Sequence, residues 1–309
     1  MAPHPVIALF GPTAVGKTAV AVAVAKLLEQ RGEEVVAVSL DSIAVYRELR
    51  ITSGAPTPEQ LAELPHHLVG IRSVRESFSA GECAELAQPL IDAAIATGKR
   101  VIAVGGTGLY MRAVLSDVGL RKPVSARVRE GLKLELQELG PQELHSRLAE
   151  LDPEAARRIE ATDGRRITRA LELIESGEPA PAPSNQLWTA APRVPTIAVG
   201  LQRDDAELRS LIEARAHRML ADGGHEEVVA AQALGASATA AAAVGWHELL
   251  DRDVDRLITR TWQLARRQRT WMRKMADVER VDISGLDPTV AAAVVLGVID
   301  RSTPAVASA

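Results

Sequence analysis

A glycine-rich segment near the start of the chain has the residue types that bind phosphate. Gly11-Pro-Thr-Ala-Val-Gly16-Lys17-Thr18, here the glycine loop, matches G-x-x-x-x-G-K-[ST] between the apolar run Val6–Phe10 and a helical pattern. In such a loop, backbone N–H groups and the helix dipole point at a phosphate. Lys17 would add a positive charge, and the Thr18 hydroxyl could ligate Mg²⁺. Kinases, nucleotide hydrolases and transferases that release diphosphate all use this loop, so it does not identify the reaction.

Two further segments place polar side chains after buried apolar runs. Val35–Leu40 is followed by Asp41, and Val101–Val104 runs into Gly105-Gly106-Thr107. The carboxyl ends of parallel strands form the ligand-binding edge of an α/β sheet. Asp41 could hold Mg²⁺ through water or accept a proton from an amine, and Thr107 offers a hydroxyl at the same edge. Either residue could instead cap the helix that follows it.

The apolar runs that precede these residues predict the elements that position them. They are short, β-branched and separated by helical patterns, and a fourth, Thr196–Leu201, follows later in the chain. The predicted fold class is therefore α/β, a P-loop NTPase-like doubly wound parallel sheet. Between Arg121 and about Gly177 only helical spacing occurs, in Val128–Leu139, Leu144–Leu151 and Ile167–Ile174, which predicts a helical insertion.

The predicted organisation has four parts. Residues 1–120 form the first part of the core, 121–180 the helical insertion, 181–301 the return to the core with basic C-terminal helices, and 302–309 a disordered tail. The proline-rich segment Gly177–Pro195 is predicted to be a linker.

Composition and charge narrow the classes of protein. The 309 residues are 47% hydrophobic with one cysteine, Cys83, which excludes an intramolecular disulfide. No run approaches a membrane span, and the first residues lack the basic region of a signal peptide, so we expect a cytoplasmic protein. The net charge is −4, yet the segment from Arg256 to Lys274 has seven basic residues and no acidic one.

Helical spacing over this basic segment separates two faces. The polar face contains Arg256, Arg260, Gln263, Arg267 and Lys274. The opposite face contains Leu257, Leu264, Trp271 and Met275. We expect phosphate contacts on the first face and burial of the second, although a solvated basic face without a partner has the same pattern.

Several signatures occur in a fixed order along nearly the whole chain. They include GPTAVGKT, DSIAVYR, FSAGE, GGTGLYMRAV, DPEAARRIEATDGRRITRALELIESGEP, EARAHRMLADGGHEEV and ARRQRTWMR. Together they resemble the tRNA dimethylallyltransferase (tRNA isopentenyltransferase) family. An ordered set of motifs is far more specific than any one of them.

The resemblance implies a reaction and a role for each matching residue. A dimethylallyl group would pass from dimethylallyl diphosphate to the N6 amine of an adenosine in the anticodon loop of tRNA, with Mg²⁺ as cofactor, diphosphate as product and the enzyme a monomer. Lys17, Asp41 and Thr107 would be catalytic, with Asp41 as general base or orienting acceptor for the amine. An ATP-binding description would apply to the shape of the glycine loop and not to its substrate.

The binding residues follow from the same resemblance. Those implied for diphosphate are Gly11, Thr13, Ala14, Val15, Gly16, Lys17, Thr18 and Arg215, and Thr18 is the implied metal ligand. Those implied for tRNA are Asp41, Ser42, Ile43, Ala44, Thr107, Arg127, Arg166, Arg169, Gln263, Arg266 and Arg267. Arg166 and Arg169 have an ordinary alternative, which is pairing with Glu172 or Glu175 on their own helix.

The chain departs from the family pattern mainly on the acceptor side. The replacements are Ala44 and Ala242 for two glutamines, Thr52-Ser53-Gly54-Ala55-Pro56 for Gly-Thr-Ala-Lys-Pro, His217 for an aspartate, and Trp246-His247 for Tyr-Lys. The diphosphate side matches. Three alternatives therefore stay open: an isopentenyltransferase that acts on a free adenine nucleotide, a P-loop small-molecule kinase, and a degenerate paralogue without turnover.

Overall fold

A computed structural model of the chain describes residues 4–116, 125–178, 191–275 and 277–302. Most of the predicted linker Gly177–Pro195 and nearly all of the predicted tail 302–309 lie outside these residues. The chain divides into two compact units, one of residues 1–118 and 190–309 and one of residues 119–189. The segment 121–180, predicted as the helical insertion, falls within the second unit. No helix in the described ranges is long and apolar enough to cross a membrane.

The first unit is built on one sheet of six parallel strands. They are β1 (Val6–Phe10), β2 (Val35–Ser39), β3 (His66–His67), β4 (Arg100–Gly105), β5 (Thr196–Gln202) and β6 (Val278–Asp282). Their spatial order is β3-β2-β4-β1-β5-β6, so β1 lies inside the sheet between β4 and β5. The predicted α/β class with a parallel sheet is confirmed.

Four of these strands match the four predicted runs, whereas the two edge strands were not predicted. β3 has two residues, too few for a periodic signal, and β6 alternates poorly because Glu279 and Arg280 are both exposed. An edge strand is buried less than an inner one, and the long apolar run typical of buried parallel strands is then not required.

The helices follow in chain order. Those of the first unit before the insertion are α1 (Lys17–Glu29), α2 (Arg50–Ser53), α3 (Pro58–Glu63), α4 (Ala80–Ala96) and α5 (Gly108–Leu115). The second unit contains α6 (Ala126–Leu151), α7 (Pro153–Arg158) and α8 (Gly164–Glu175). The first unit resumes with α9 (Asp205–Ala221), α10 (Gly224–Ala233), α11 (Ala238–Ala241), α12 (Trp246–Leu250), α13 (Val254–Lys274) and α14 (Pro288–Ser302).

Both faces of the sheet are covered by apolar layers, and β1 shows why. Its five residues are all buried, and because successive side chains of a strand point to opposite faces, Ile7 and Leu9 enter one layer and Val6, Ala8 and Phe10 the other. The first of these layers also contains one face of α1, including Val20 and Leu28. This burial fixes β1 and α1, the two elements between which the glycine loop is held.

The second unit has a small core of its own. α6 and α8 pack together around Leu132, Leu148, Ile167 and Leu171. Gly140, with φ of 80°, interrupts the helical backbone of α6 between the two segments in which helical spacing was predicted. Glycine adopts this left-handed conformation without steric cost.

The buried face of α13 differs from the predicted one. Its buried residues are Leu257, Ala265, Gln268 and Met272, whereas Trp271 is only half-buried. The prediction counted apolar residues alone and therefore placed the stripe too far towards Leu264 and Trp271. A buried glutamine belongs to the true face, because its amide oxygen accepts the backbone N–H of Thr13.

Candidate active site

Three loops meet at the carboxyl ends of neighbouring strands. β4 lies between β1 and β2, with Phe10 opposite Gly105 and Ser39 opposite Val104. The loops that follow these strands enclose a cavity of about 820 Å³, and Lys17, Asp41 and Thr107 all line it. The structure therefore brings the three predicted catalytic residues, which are far apart in sequence, into one site.

Two glycines allow the backbones at this edge to touch. A Cβ on Gly11 would lie 2.9 Å from the carbonyl oxygen of Leu201, and one on Gly105 would lie 2.8 Å from that of Leu40. Neither distance is possible for a real side chain, so any larger residue would push the loops apart. Glycine at these positions sets how closely the glycine loop approaches β5, and how closely the end of β4 approaches the segment before Asp41.

The glycine loop leaves the start of α1 open towards the cavity. Gly16, at φ of 101°, precedes the first residue of α1, and no side chain caps the helix. The free N–H groups and the positive end of the helix dipole are then available to an anion. Of the residues predicted to bind diphosphate, Thr13, Ala14, Gly16, Lys17, Thr18 and Arg215 line the cavity. Gly11 and Val15 are buried and are not among the lining residues.

The Lys17 ammonium is held at the loop by backbone oxygens. Its Nζ donates to the carbonyls of Pro12, at 2.8 Å, and Gly11, at 3.1 Å. The pKa of Lys17 is lowered to about 8, mainly by burial; the charge of Asp41 raises it and that of Arg215 lowers it. A bound anion would favour the charged ammonium, so this lysine is poised to gain from diphosphate binding.

The Asp41 side chain is fixed by a turn, and the alternative that it caps a following helix is wrong, because the next helix begins only at Arg50. One carboxylate oxygen, Oδ1, accepts hydrogen bonds from the N–H groups of Ile43 at 2.8 Å and Ala44 at 3.1 Å. Among the described residues, none donates to the other oxygen, Oδ2, and Asp41 lines the cavity. The first oxygen fixes the side chain, which leaves the second for a ligand.

Thr107 occupies the capping position of α5 without acting as a cap. It is the residue before Gly108, yet its hydroxyl makes no capping hydrogen bond. The side chain lines the same cavity as Asp41. The interpretation as a simple helix cap is therefore wrong for Thr107, and its hydroxyl is available at the site.

Arg215, on α9, lies against the glycine loop. Its Nη2 donates to the carbonyl of Ser53 at 2.9 Å, and its Nη1 is 3.4 Å from the Thr13 hydroxyl. Burial lowers the pKa of Arg215, and the negative charge of Asp41 opposes this shift. Gly54 makes the arrangement possible, since a Cβ there would lie 2.4 Å from Nη2.

Gln268 is a residue of this site that the sequence analysis missed. Its side chain is buried, and its Oε1 accepts the N–H of Thr13 at 2.7 Å. A Cβ on Gly106 would lie 2.6 Å from its Nε2. Gln268 thus touches two of the three loops from α13. The available signal was its helical spacing from the buried residues Ala265 and Met272.

The arginines of α13 differ in their surroundings. Arg267 is exposed, lines the main cavity, and also lines a second, shallower cavity of about 370 Å³ with Gln263, Arg266, Thr270 and Trp271.

Arg256 and Arg260, predicted as phosphate contacts, lie near a buried carboxylate, and their role in binding RNA stays a prediction. Their Nε atoms lie 3.6 and 3.9 Å from Oε1 of the buried Glu248. The Glu248 carboxylate belongs to α12, so the run of basic residues in the sequence of α13 did not indicate this contact.

In the second unit, two of the three predicted RNA contacts have acidic neighbours. Arg127 is exposed at the start of α6. Nε of Arg166 lies 3.4 Å from Asp163, and Nη1 of Arg169 lies 2.9 Å from Glu172. The pairing expected for Arg169 as an alternative is present, and the role of all three arginines in binding RNA stays a prediction.

The oxygen atoms at the cavity that could ligate a metal suit a magnesium ion shared with a substrate. The Thr18 hydroxyl and the free oxygen of Asp41 both belong to lining residues. Mg²⁺ is commonly held by one or two protein oxygens, with water and substrate phosphates completing its shell. The described residues contain no group of three or more His, Cys, Asp or Glu side chains suited to a metal ion. The chemistry of the site therefore suits a metal that arrives with phosphate.

The fold and the cavity define an α/β protein of the P-loop type, with an anion site beside a carboxylate. The family model described as IPP transferase matches residues 44–275. The tRNA dimethylallyltransferase of Stenotrophomonas maltophilia (strain K279a) is 41% identical over 295 residues, which cover 89% of this chain and 92% of that relative. The protein of the same name from Thermobifida fusca (strain YX) is 37% identical and covers 87% of each chain.

Solved structures agree with this result. The full-length tRNA isopentenylpyrophosphate transferase of Bacillus halodurans superposes with a TM-score of 0.66 at 31% identity, covering 97% of this chain and 98% of that chain. A eukaryotic dimethylallyltransferase acting on tRNA gives a TM-score of 0.69 at 21% identity, a likeness of fold. The chain belongs to the tRNA dimethylallyltransferase family, a family of prenyltransferases, and the family predicted from the motifs is confirmed.

The pKa of Lys17 generates a prediction for diphosphate binding. Below about pH 7 the Lys17 ammonium is charged with or without ligand, so its titration should not change the affinity for diphosphate. Above pH 8 the free protein has largely lost this proton and binding must restore it, so the affinity should fall by up to about ten-fold per pH unit. Titration calorimetry with inorganic diphosphate measures this. Lys17→Arg, which keeps its charge, is the control, and the titration of the ligand itself is common to both curves. Identical pH profiles for the two proteins would contradict the assignment.

Proposed function

We propose that this chain transfers a dimethylallyl group from dimethylallyl diphosphate to the N6 amine of an adenosine in the anticodon loop of tRNA, releasing diphosphate. The observation that supports this best is the joining of an anion site and a carboxylate in one cavity, lined by Lys17, Asp41 and Thr107. Its relatives carry the name of this reaction. We further propose that it works as a monomer in the cytoplasm.

The anion site is suited to the leaving group. As the bond between C1 of the allyl group and the diphosphate oxygen breaks, the electron pair stays with diphosphate and C1 gains positive charge. Lys17, Arg215 and the open N–H groups of the glycine loop stabilise the departing charge. A Mg²⁺ ion held by the Thr18 hydroxyl, with water completing its shell, would neutralise further phosphate charge.

The carboxylate is suited to the acceptor. The N6 amine forms the new bond to C1 and loses one proton, which Asp41 accepts directly or through water. Because Oδ1 is fixed by the N–H groups of Ile43 and Ala44, Oδ2 can orient the amine without a search over rotamers. Thr107 offers its hydroxyl to the same reacting centre.

The RNA is proposed to lie along α13. Arg267 lines both cavities, and the second cavity adds Arg266, Gln263 and the half-buried ring of Trp271. Guanidinium groups bind phosphates and an exposed ring can stack on a base, so this surface suits a single-stranded loop. We propose that the second unit contributes Arg127, Arg166 and Arg169 to RNA binding.

Label transfer tests the proposal. The protein is incubated with Mg²⁺ and dimethylallyl diphosphate labelled in the allyl group, together with unmodified tRNA, AMP or no acceptor. Label on adenosine of tRNA is the expected result. Label on AMP alone would support the free-nucleotide alternative, and no transfer to either acceptor would support the degenerate paralogue.

Asp41→Asn provides the matched variant in this assay. The amide keeps the size of the side chain but cannot accept the amine proton, so turnover should fall by roughly 10²-fold or more while donor binding persists. The control is Glu63→Gln, because Glu63 lies on the surface of α3. Glu48→Gln would be a poorer control, because the Glu48 carboxylate accepts the N–H of Val74. Full turnover in Asp41→Asn would exclude the general-base role.

Salt dependence tests the RNA surface. If Arg267 neutralises one phosphate, Arg267→Ala should reduce the slope of log affinity for tRNA against log salt by roughly 0.7–0.9. Arg256→Ala is the control on the same helix, since Arg256 lies beside Glu248 and Asp251 and should change the slope less. Filter binding over a salt series gives both slopes. Superimposable slopes for wild type and Arg267→Ala would show that Arg267 contacts no phosphate.

A further inference from the structure

A carboxylate outside the predicted site holds one wall of the cavity. Glu227, on α10, accepts the N–H of Ile51 at 2.8 Å through Oε1, and the N–H and hydroxyl of Thr52, both at 2.7 Å, through Oε2. Ile51 and Thr52 lie in the first turn of α2, whose preceding residue Leu49 supplies no side-chain cap. Glu227 therefore caps α2 from a different helix, about 175 residues away in sequence.

The other end of α2 holds Arg215. The carbonyl of Ser53 accepts from Arg215 Nη2 at 2.9 Å, and Gly54 packs directly against the guanidinium. Gly54, at φ of 61°, ends the helix, with its N–H donating to the carbonyl of Ile51 at 3.0 Å. Residues 51–54 all line the cavity. The four-residue helix thus connects the Glu227 carboxylate to the arginine beside the glycine loop.

A helix of this length cannot hold its own shape. Isolated single turns are unstable in water, and the orphan N–H groups at their start need partners. Hydrogen bonds from N–H groups to an ionised carboxylate are shorter and stronger than neutral ones. No Lys, Arg or His of the described residues forms an ion pair with Glu227, so its charge is directed to the amides of α2.

We propose that Glu227 is a positioning residue for the transfer reaction, acting through α2 to hold Arg215 in the place where it meets the donor diphosphate. This inference rests on the proposed function, because it takes Arg215 as a diphosphate contact. Without Glu227, α2 would lose its capping bonds and the Ser53 carbonyl would no longer fix the guanidinium. Donor binding would then weaken although Glu227 never touches the donor.

The variants separate this role from a purely structural one. Glu227→Gln keeps the shape but loses the charge, and Glu227→Ala removes all three bonds. Glu226→Gln is the control, because Glu226 is the neighbouring residue on α10, is 65% exposed and pairs with Arg252 at the surface. Gly54→Ala disturbs the same contact from the other end, since its Cβ would displace the guanidinium.

The expected result is a loss that depends on Arg215. Glu227→Ala and Arg215→Ala should each weaken donor affinity, measured by calorimetry without RNA, by about ten-fold or more. The double variant should be no weaker than Arg215→Ala alone, because the positioning residue then has nothing to position. Glu226→Gln should bind donor like the wild type, and Gly54→Ala should reproduce the loss.

The outcomes distinguish failure of this inference from failure of the proposed function. If Arg215→Ala binds donor like the wild type, the assignment of Arg215 to the diphosphate fails. If Arg215→Ala weakens donor affinity and the double variant weakens it further by the full effect of Glu227→Ala, Glu227 acts through general stability and the inference is wrong. Should Glu227→Ala not fold, the milder Glu227→Gln in the same double-variant cycle gives the same decision.

Discussion

One hydrogen bond to a buried side chain connects the two halves of the candidate active site. Oε1 of Gln268 accepts the N–H of Thr13, and so ties the glycine loop to α13 across 255 residues of sequence. An unpaired amide at this depth would cost about 1–3 kcal/mol, so both groups depend on the contact. The bond also explains why residue 106 is a glycine, because any side chain on Gly106 would occupy the place of the Gln268 amide. Arg267, which precedes Gln268 on α13, then lines the same cavity as the glycine loop.

Around that bond, the charges are placed without neutralising one another. Lys17 is held by two carbonyl oxygens and Arg215 by one, whereas the Asp41 carboxylate is held by two N–H groups. Fixing each charge through backbone groups keeps the side chains apart and ready for a ligand. Burial lowers the pKa of Lys17 and of Arg215, which reflects the cost of gathering cations away from water. A diphosphate would relieve that cost, and this is the physical reason for the expected anion affinity.

The sequence predicted the inner part of the fold well because buried parallel strands and their helices leave strong patterns. β1, β2, β4 and β5 are short apolar runs, and the three loops that follow β1, β2 and β4 carry the predicted Lys17, Asp41 and Thr107. Parallel topology alone brings such positions to one edge. β3 and β6 were missed because an edge strand needs no continuous apolar run.

Contacts between distant helices were beyond prediction from sequence. Glu248 lies on the helix before Arg256 and Arg260, and Glu227 caps α2 from about 175 residues away, so in both cases the partners lie on different helices. The helical spacing of Gln268 from Ala265 and Met272 indicated its burial, but not its partner, the N–H of Thr13. In each case the deciding fact is the packing of one helix against another, which a single sequence does not encode in local spacing.

Gln268 joins the glycine loop and α13 into one site, so diphosphate affinity should depend on it. Calorimetric titration of diphosphate into Gln268→Ala measures this dependence, with Gln263→Ala as the control, an exposed glutamine on the same helix. Affinity should be about ten-fold weaker for Gln268→Ala and unchanged for Gln263→Ala, because only the first leaves the Thr13 N–H without its partner. Equal affinities for wild type and Gln268→Ala, in a protein that remains folded, would contradict this dependence.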